Sequence, residues 1–187
     1  MNRAKGPSSS TKPSFWWTGF EPAVYSRPKK ELDDVSEARL ILETELAALA
    51  AERLEPADLE NLERIVQQMK VSVERDGGEY AALDVDFHLA IAKASKNQVL
   101  HELLVPIRSV LQEFIAKSQE LPGMKQNAHE HHVRILAALR QRKPEKAKRE
   151  MRTHLHTCEK AFTLLGRFSD PVHADLPRPK GRSRKQR

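Results

Sequence analysis

Apolar residues recur at helical spacing from Asp33 to Leu165, and this periodicity constrains the fold more than any other feature of the chain. Residues three or four apart share one face of a helix, and the first such face comprises Val35, Ala38, Leu42, Leu46, Leu49 and Ala50. We find no β-hairpin signal in the chain. The pattern predicts an all-α fold, an antiparallel bundle of six to seven helices with short connections.

Capping residues, prolines and glycines divide the periodic region into separate helices. Asp33 can cap the first helix, and Pro56 and Pro144 suit the first turn of two later ones. Pro106 lies inside the fourth helix and should kink it or split it in two. We expect helices over residues 33–54, 56–75, 79–95, 98–119, 125–142 and 144–165.

Charge and composition separate the chain into three parts. The net charge of +6 is concentrated in two Pro-rich tails, 1–32 with +4 and 167–187 with +5. Both tails are predicted to be disordered. The domain over 33–166 carries −3, so the folded part lacks the basic footprint that is typical of nucleic-acid binding.

The number of cysteines limits the kinds of site the chain can form, and the hydropathy pattern indicates its cellular compartment. Cys158 is the single cysteine, which excludes an internal disulfide and a cysteine-based zinc motif; we interpret it as a buried structural thiol. No run approaches the ~18 apolar residues of a membrane span. We also see no signal peptide, so we predict a cytoplasmic protein with no membrane partner.

The third predicted helix carries an acid and an imidazole on its inward face. Asp84 and His88 are four residues apart, and one helical turn stacks them together. Buried polar groups of this kind are costly unless they find partners. Buried polar groups most often satisfy each other, so a hydrogen bond between Asp84 and His88 is the ordinary interpretation. The alternative is that both groups bind a divalent metal ion.

Two later helices each present a histidine on the apolar side. His132 precedes Leu136 by four residues, and His154 precedes Cys158 by four. Together with Asp84 and His88 they form an Asp/His₃ set that suits Zn, Ni, Mn or Fe. His156 should be exposed, and Asp86 should face away from Asp84.

Arg39 on the first helix is a candidate for binding an anion beside such a metal, because a guanidinium forms a bidentate fork for carboxylates. The alternative is an ion pair between Arg39 and Glu43 on a solvated face of the same helix.

Several motifs recur in an order that resembles a known family. They are Glu37-Ala38-Arg39-x-x-x-Glu43, Ala50-Ala51-Glu52-Arg53, Pro56-x-Asp58-Leu59, Asp84-x-x-Phe87-His88-x-x-Ile91, Ala94-Ser95-x-Asn97, His132-x-x-Ile135-x-x-Ala138 and Met151-x-x-His154-Leu155. In this order they resemble the FCD effector-sensing domain of the FadR subfamily of GntR-type bacterial transcription regulators. The resemblance covers about residues 33–165.

The resemblance implies a site and a set of partners. In that family the helical domain dimerises, and many members bind a divalent metal through the residues that match Asp84, His88, His132 and His154. A small organic acid binds at or beside the metal. Arg39 matches a residue that lines the effector cavity, and we add Glu43 and Asn97 as candidates for effector binding.

The family places a winged helix-turn-helix before this domain, and residues 1–32 show neither amphipathic helices nor a Gly-rich wing. We therefore expect DNA binding only where a winged-helix domain is supplied or is missing from this reading frame. The first hypothesis is a metal-dependent, carboxylate-sensing domain of a homodimeric regulator. The alternatives are a metal-dependent hydrolase, for which Glu43 is the one base we can nominate, and a metal-free helical interaction module.

Overall fold

The computed structural model of the protein describes residues 29–75 and 77–169. These residues form six helices and contain no β-strand, which confirms the predicted all-α bundle. The helices are α1 (Lys29–Arg53), α2 (Pro56–Glu74), α3 (Tyr80–Ala94), α4 (Gln98–Ser118), α5 (Met124–Arg140) and α6 (Pro144–Ser169). The predicted disorder of the two tails falls largely on residues 1–28 and 170–187, which lie outside the described residues.

The helix ends differ from the predicted ones mainly at the two termini of the bundle. α1 begins at Lys29, so Asp33 lies inside the helix and does not cap it. α6 continues past Leu165 to Ser169. The extension of α1 contains neither Pro nor Gly, and α6 continues through Gly166, because one glycine costs a helix only about 1 kcal/mol relative to alanine. The start of α2 at Pro56 is confirmed, with a capping box between Glu55 and Asp58.

α4 is one continuous helix through Pro106, so the predicted split does not occur. Proline removes only one backbone donor from the helical ladder. Leu104 and Arg108, which flank Pro106, are both buried. Packing of this face against α3, α1 and α6 holds the two halves of α4 in one helix.

The first helix lies centrally in the bundle and packs against α3, α4, α5 and α6. The apolar core is built by side chains from α1, α2, α3, α5 and α6, among them Leu62, Met69, Ile91, Leu139 and Met151. These five are at most 1% exposed. Among the described residues, no helix is both long enough and apolar enough to cross a membrane.

Candidate metal centre

One face of α3 carries three polar side chains at successive helical turns. Tyr80, Asp84 and His88 are four residues apart, and all three are buried. Neighbouring positions Phe87 and Ile91 are apolar and buried as well. The helix therefore delivers a carboxylate and an imidazole into the interior, as the four-residue spacing predicted.

His132 from α5 and His154 from α6 meet Asp84 and His88 in the interior. His154 Nε2 lies 3.2 Å from His88 Nε2 and 3.3 Å from His132 Nε2. His132 Nε2 in turn lies 3.3 Å from Asp84 Oδ1. One ligand atom from each of the four residues lies within 4.8 Å of all the others. We call these four residues the ligand cluster.

The spacing within the ligand cluster fits a shared cation. Zinc–nitrogen bonds are about 2.0–2.1 Å long, so two nitrogens on one ion at about 100° are roughly 3.2 Å apart. The observed nitrogen–nitrogen distances have this value. Hydrogen bonds among three imidazole nitrogens fit less well, because each neutral ring offers one proton and one lone pair.

Burial keeps the donors in the forms that bind metal. Burial, followed by the Arg108 guanidinium, lowers the pKa of His88 to about 4. Burial and the neighbouring His132 and His88 hold the pKa of His154 well below its usual value. Burial opposes ionisation of Asp84, but Arg108 and His132 outweigh it and hold the pKa of Asp84 well below the usual range. At neutral pH Asp84 is thus an anion, and His88 and His154 are neutral imidazoles, as metal binding requires.

Arg108 on α4 is fully buried and holds the far side of Asp84. Its Nη2 donates to Asp84 Oδ2 at 2.6 Å and to the backbone oxygen of Asp84 at 3.0 Å. Asp84 Oδ1 remains directed at His132. Arg108 thus balances the charge of the acid and leaves one carboxylate oxygen for a cation.

Glu43 and Arg39 form an ion pair on α1, and this pair is buried. Arg39 Nε donates to Glu43 Oε1 at 2.7 Å, with the two residues 3% and 1% exposed. The alternative of a pair on a solvated face is therefore wrong, because α1 runs through the middle of the bundle. Glu43 Oε2 contacts His88 Nδ1, and Arg108 Nη1 lies 3.6 Å from Glu43 Oε1.

The charges around Glu43 keep it ionised despite its burial. Burial alone would raise the pKa of Glu43, but His88, Arg108 and Arg39 together hold it well below the usual value. We call Arg39, Glu43 and Arg108 the charged surround.

The other candidates lie at different places in the bundle. Asn97 caps α4, where its Oδ1 accepts from the backbone N–H of Leu100 at 3.2 Å; its role in effector binding stays a prediction. Asp86 and His156 are exposed, as predicted. Cys158 is half-buried rather than fully buried. Its Sγ lies 3.8 Å from His154 Nε2, and burial of the thiol raises the pKa of Cys158 to about 12.

Sequence reasoning missed two residues that contact the ligand cluster. Arg108 follows Leu104 by four residues, and a charged side chain on an apolar face signals a buried partner. Tyr80 precedes Asp84 by four residues, so it shares the inward face; its Oη lies 3.3 Å from His132 Nδ1. Both could have been found by extending each predicted face by one turn.

Comparisons with known proteins bear on the family of the chain. The sequence profile of the FCD domain matches residues 34–157. The chain is 32% identical to the HTH-type transcriptional regulator LutR of Bacillus subtilis, over 77% of this chain and 67% of the relative. It is 33% identical to the Glc operon transcriptional activator of Escherichia coli, over 73% of this chain and 57% of the relative.

A solved structure shows the same fold. Streptococcus agalactiae GntR superposes with a TM-score of 0.64 and 28% identity, over 73% of this chain and 62% of that one. The chain thus spans between 57% and 67% of the length of these three proteins. From the profile match and these identities, the chain belongs to the FCD domain family, the effector-sensing domain of GntR-type transcription regulators.

Proposed function

We propose that this chain senses a small carboxylate through a divalent metal ion held by Asp84, His88, His132 and His154. The observation that carries the proposal is the convergence of three imidazole Nε2 atoms and one carboxylate oxygen at the spacing of ligands on one ion. The donor set contains no thiolate and suits borderline ions such as Zn, Ni, Mn or Fe. An Asp/His₃ set leaves coordination positions of a six-coordinate ion for a ligand.

Charge balance supports an anionic effector. Asp84 and Glu43 are balanced by Arg39 and Arg108, while the pKa values of His88 and His154 are lowered, which leaves these two imidazoles neutral. A divalent ion would then give this buried region an excess of two positive charges, which favours an anion. Arg39 also lines a cavity of about 240 Å³ between α1 and α6. That cavity is also lined by three acidic residues, Asp33, Glu37 and Glu159, and by none of the four proposed ligands. It therefore does not favour a carboxylate, and the affinity for one would come from the metal.

The contacts of Glu43 favour a sensor over a hydrolase. A hydrolase requires a general base with room to accept a proton from water. The carboxylate of Glu43 is engaged by Arg39 and His88, and its pKa is held low, which makes it a weak base. Asp86 faces outward.

The sensor would act as part of a homodimeric DNA-binding regulator. α1 and α4 pack on each other and carry exposed apolar residues, Ile41 at 59%, Val99 at 68% and Leu103 at 37%. These residues are available for contact with a second copy. A carboxylate that binds one arrangement of the two protomers better than the other would shift the population between them. DNA binding would change wherever a winged-helix domain accompanies this one.

Elemental analysis of purified protein tests the metal. We expect about one equivalent of metal in the wild type, none in His132→Ala, and the wild-type amount in His156→Ala, which removes an exposed histidine of α6. Small carboxylates should then raise the melting temperature of metal-loaded protein and not of metal-stripped protein. If the wild type contains no metal and cannot be loaded with zinc, cobalt, nickel or manganese, the metal-sensing proposal is wrong.

A further inference from the structure

The two nitrogens of an imidazole are not equivalent, and the partner of one decides whether the other can bind metal. In His88, Nε2 faces the ligand cluster, 3.2 Å from His154 Nε2. Nδ1 points the opposite way and contacts Glu43 Oε2. Two lone pairs in such contact would repel, so the proton of neutral His88 belongs on Nδ1. That tautomer leaves the lone pair of Nε2 directed at the cluster.

Glu43 is held for this contact by two arginines. Arg39 Nε binds Oε1 at 2.7 Å, and Arg108 Nη1 lies 3.6 Å from the same oxygen. The other oxygen, Oε2, is left for His88. All four residues are at most 3% exposed, so water does not compete for the carboxylate.

The other two histidines have weaker partners on their outer nitrogens. His132 Nδ1 faces the neutral hydroxyl of Tyr80 at 3.3 Å. His154 Nδ1 lies 4.0 Å from the thiol of Cys158. His88 is the histidine of the cluster whose outer nitrogen contacts a carboxylate, and a carboxylate partner both fixes the ring and raises the basicity of the ligating nitrogen.

We propose that Glu43 is a positioning residue of the metal centre, which acts through His88 by keeping the proton on Nδ1 and the lone pair of Nε2 toward the metal. This inference rests on the proposed metal site. It assigns a role to Glu43, which is not one of the four proposed metal ligands. Glu43 would not touch the ion. It would set the strength with which His88 binds it.

The test uses the full chain, zinc alone as the probe, and two isosteric variants on the same helix. Glu43→Gln removes the charge and keeps the shape, and Glu52→Gln does the same at an exposed position of α1. Competition titration with a chelator gives zinc affinity. We expect Glu43→Gln to bind zinc about 10- to 100-fold more weakly than the wild type, and Glu52→Gln to match the wild type.

A tautomer measurement separates positioning from a merely structural role. Long-range ¹H–¹⁵N correlation on zinc-loaded wild type, with side-chain assignment of His88, should show zinc on Nε2 and a slowly exchanging proton on Nδ1. In Glu43→Gln that proton should exchange faster and resonate upfield. If Glu43→Gln does not fold, the wild-type spectrum still tests the inference, because zinc on His88 Nδ1 would overturn it.

The outcomes distinguish this inference from the proposal beneath it. A wild type that binds no zinc overturns both. A wild type that binds zinc through His88 Nδ1 overturns the inference alone, and so does a Glu43→Gln variant that binds zinc as tightly as Glu52→Gln with an unchanged His88 spectrum.

Discussion

The interior of this bundle has two regions that solve the problem of burial in different ways. In the apolar core, Leu62, Met69 and Leu139 are excluded from water and need nothing except close neighbours. In the ligand cluster and its charged surround, each buried group depends on a particular partner atom. Asp84 depends on Arg108, and His88 contacts Glu43.

The two regions differ in what a substitution does to them, and this difference separates residues that stabilise the fold from residues suited to binding. A side chain of the apolar core can be shortened at a cost that grows with the cavity, while its neighbours remain satisfied. A group of the charged surround cannot be removed without leaving another charge buried and unpaired. Such an arrangement is a poor way to gain stability, which favours its retention for binding.

The largest expected effect comes from removing the positive charge beside Asp84. Arg108→Met keeps the length of the side chain and leaves Asp84 and Glu43 without one of their balancing cations. Breaking a buried pair from one side costs about 3–5 kcal/mol. We expect a loss of this size in the free energy of unfolding, measured in urea, together with loss of zinc binding.

Met69→Ala is the matched change in the apolar core, because α2 carries no residue of the ligand cluster. It should cost about 2–5 kcal/mol through transfer and cavity terms, while metal content stays at the wild-type value. If both variants lost metal in proportion to their stability, the proposed separation between the two regions would be wrong.

The sequence predicts the bundle well, because helical periodicity is local and each apolar face can be identified without its neighbour. The inward direction of Asp84, His88, His132 and His154 followed from the same periodicity. The role of Arg108 did not follow, although Arg108 lies four residues after Leu104 on the inward face of α4, because spacing within one helix does not identify the partner of a buried charge. The contact between Glu43 and His88 depends on how α1 and α3 lie side by side, and spacing within one helix carries no information about that.

Acid should destabilise the region of the ligand cluster before it affects the apolar core. The pKa of His88 falls from 6.5 to about 4 on folding, and that of His154 is also lowered. Between these values the unfolded chain binds protons that the folded chain does not. The free energy of unfolding of the metal-free protein should therefore fall as the pH is lowered from 6.5 to about 4. Below that range, protonation of Asp84 and Glu43 should continue the loss, because their pKa values are also lowered on folding.

Urea titrations at several pH values in the presence of a chelator measure this dependence. His88→Asn should make the curve less steep between pH 6.5 and 4, with His154 retaining part of the slope. His156→Asn, at an exposed position, should leave the curve unchanged. Parallel curves for all three proteins would show that His88 is not protonated on unfolding in this range.

The smallest expected effect comes from removing one hydroxyl group that contacts a residue of the ligand cluster. Tyr80→Phe removes the single hydroxyl that faces His132 Nδ1 at 3.3 Å, and leaves the ring in its buried place on α3. The hydroxyl is neutral and the contact is long, so the loss should be close to a typical net hydrogen bond, about 0.5–1.5 kcal/mol of unfolding free energy. Zinc affinity should fall by less than in Glu43→Gln, because His132 loses a neutral partner and His88 a charged one. A Tyr80→Phe variant that binds zinc more weakly than Glu43→Gln would reverse this order. The contact between α3 and α5 would then affect zinc affinity more than the contact between α1 and α3 does.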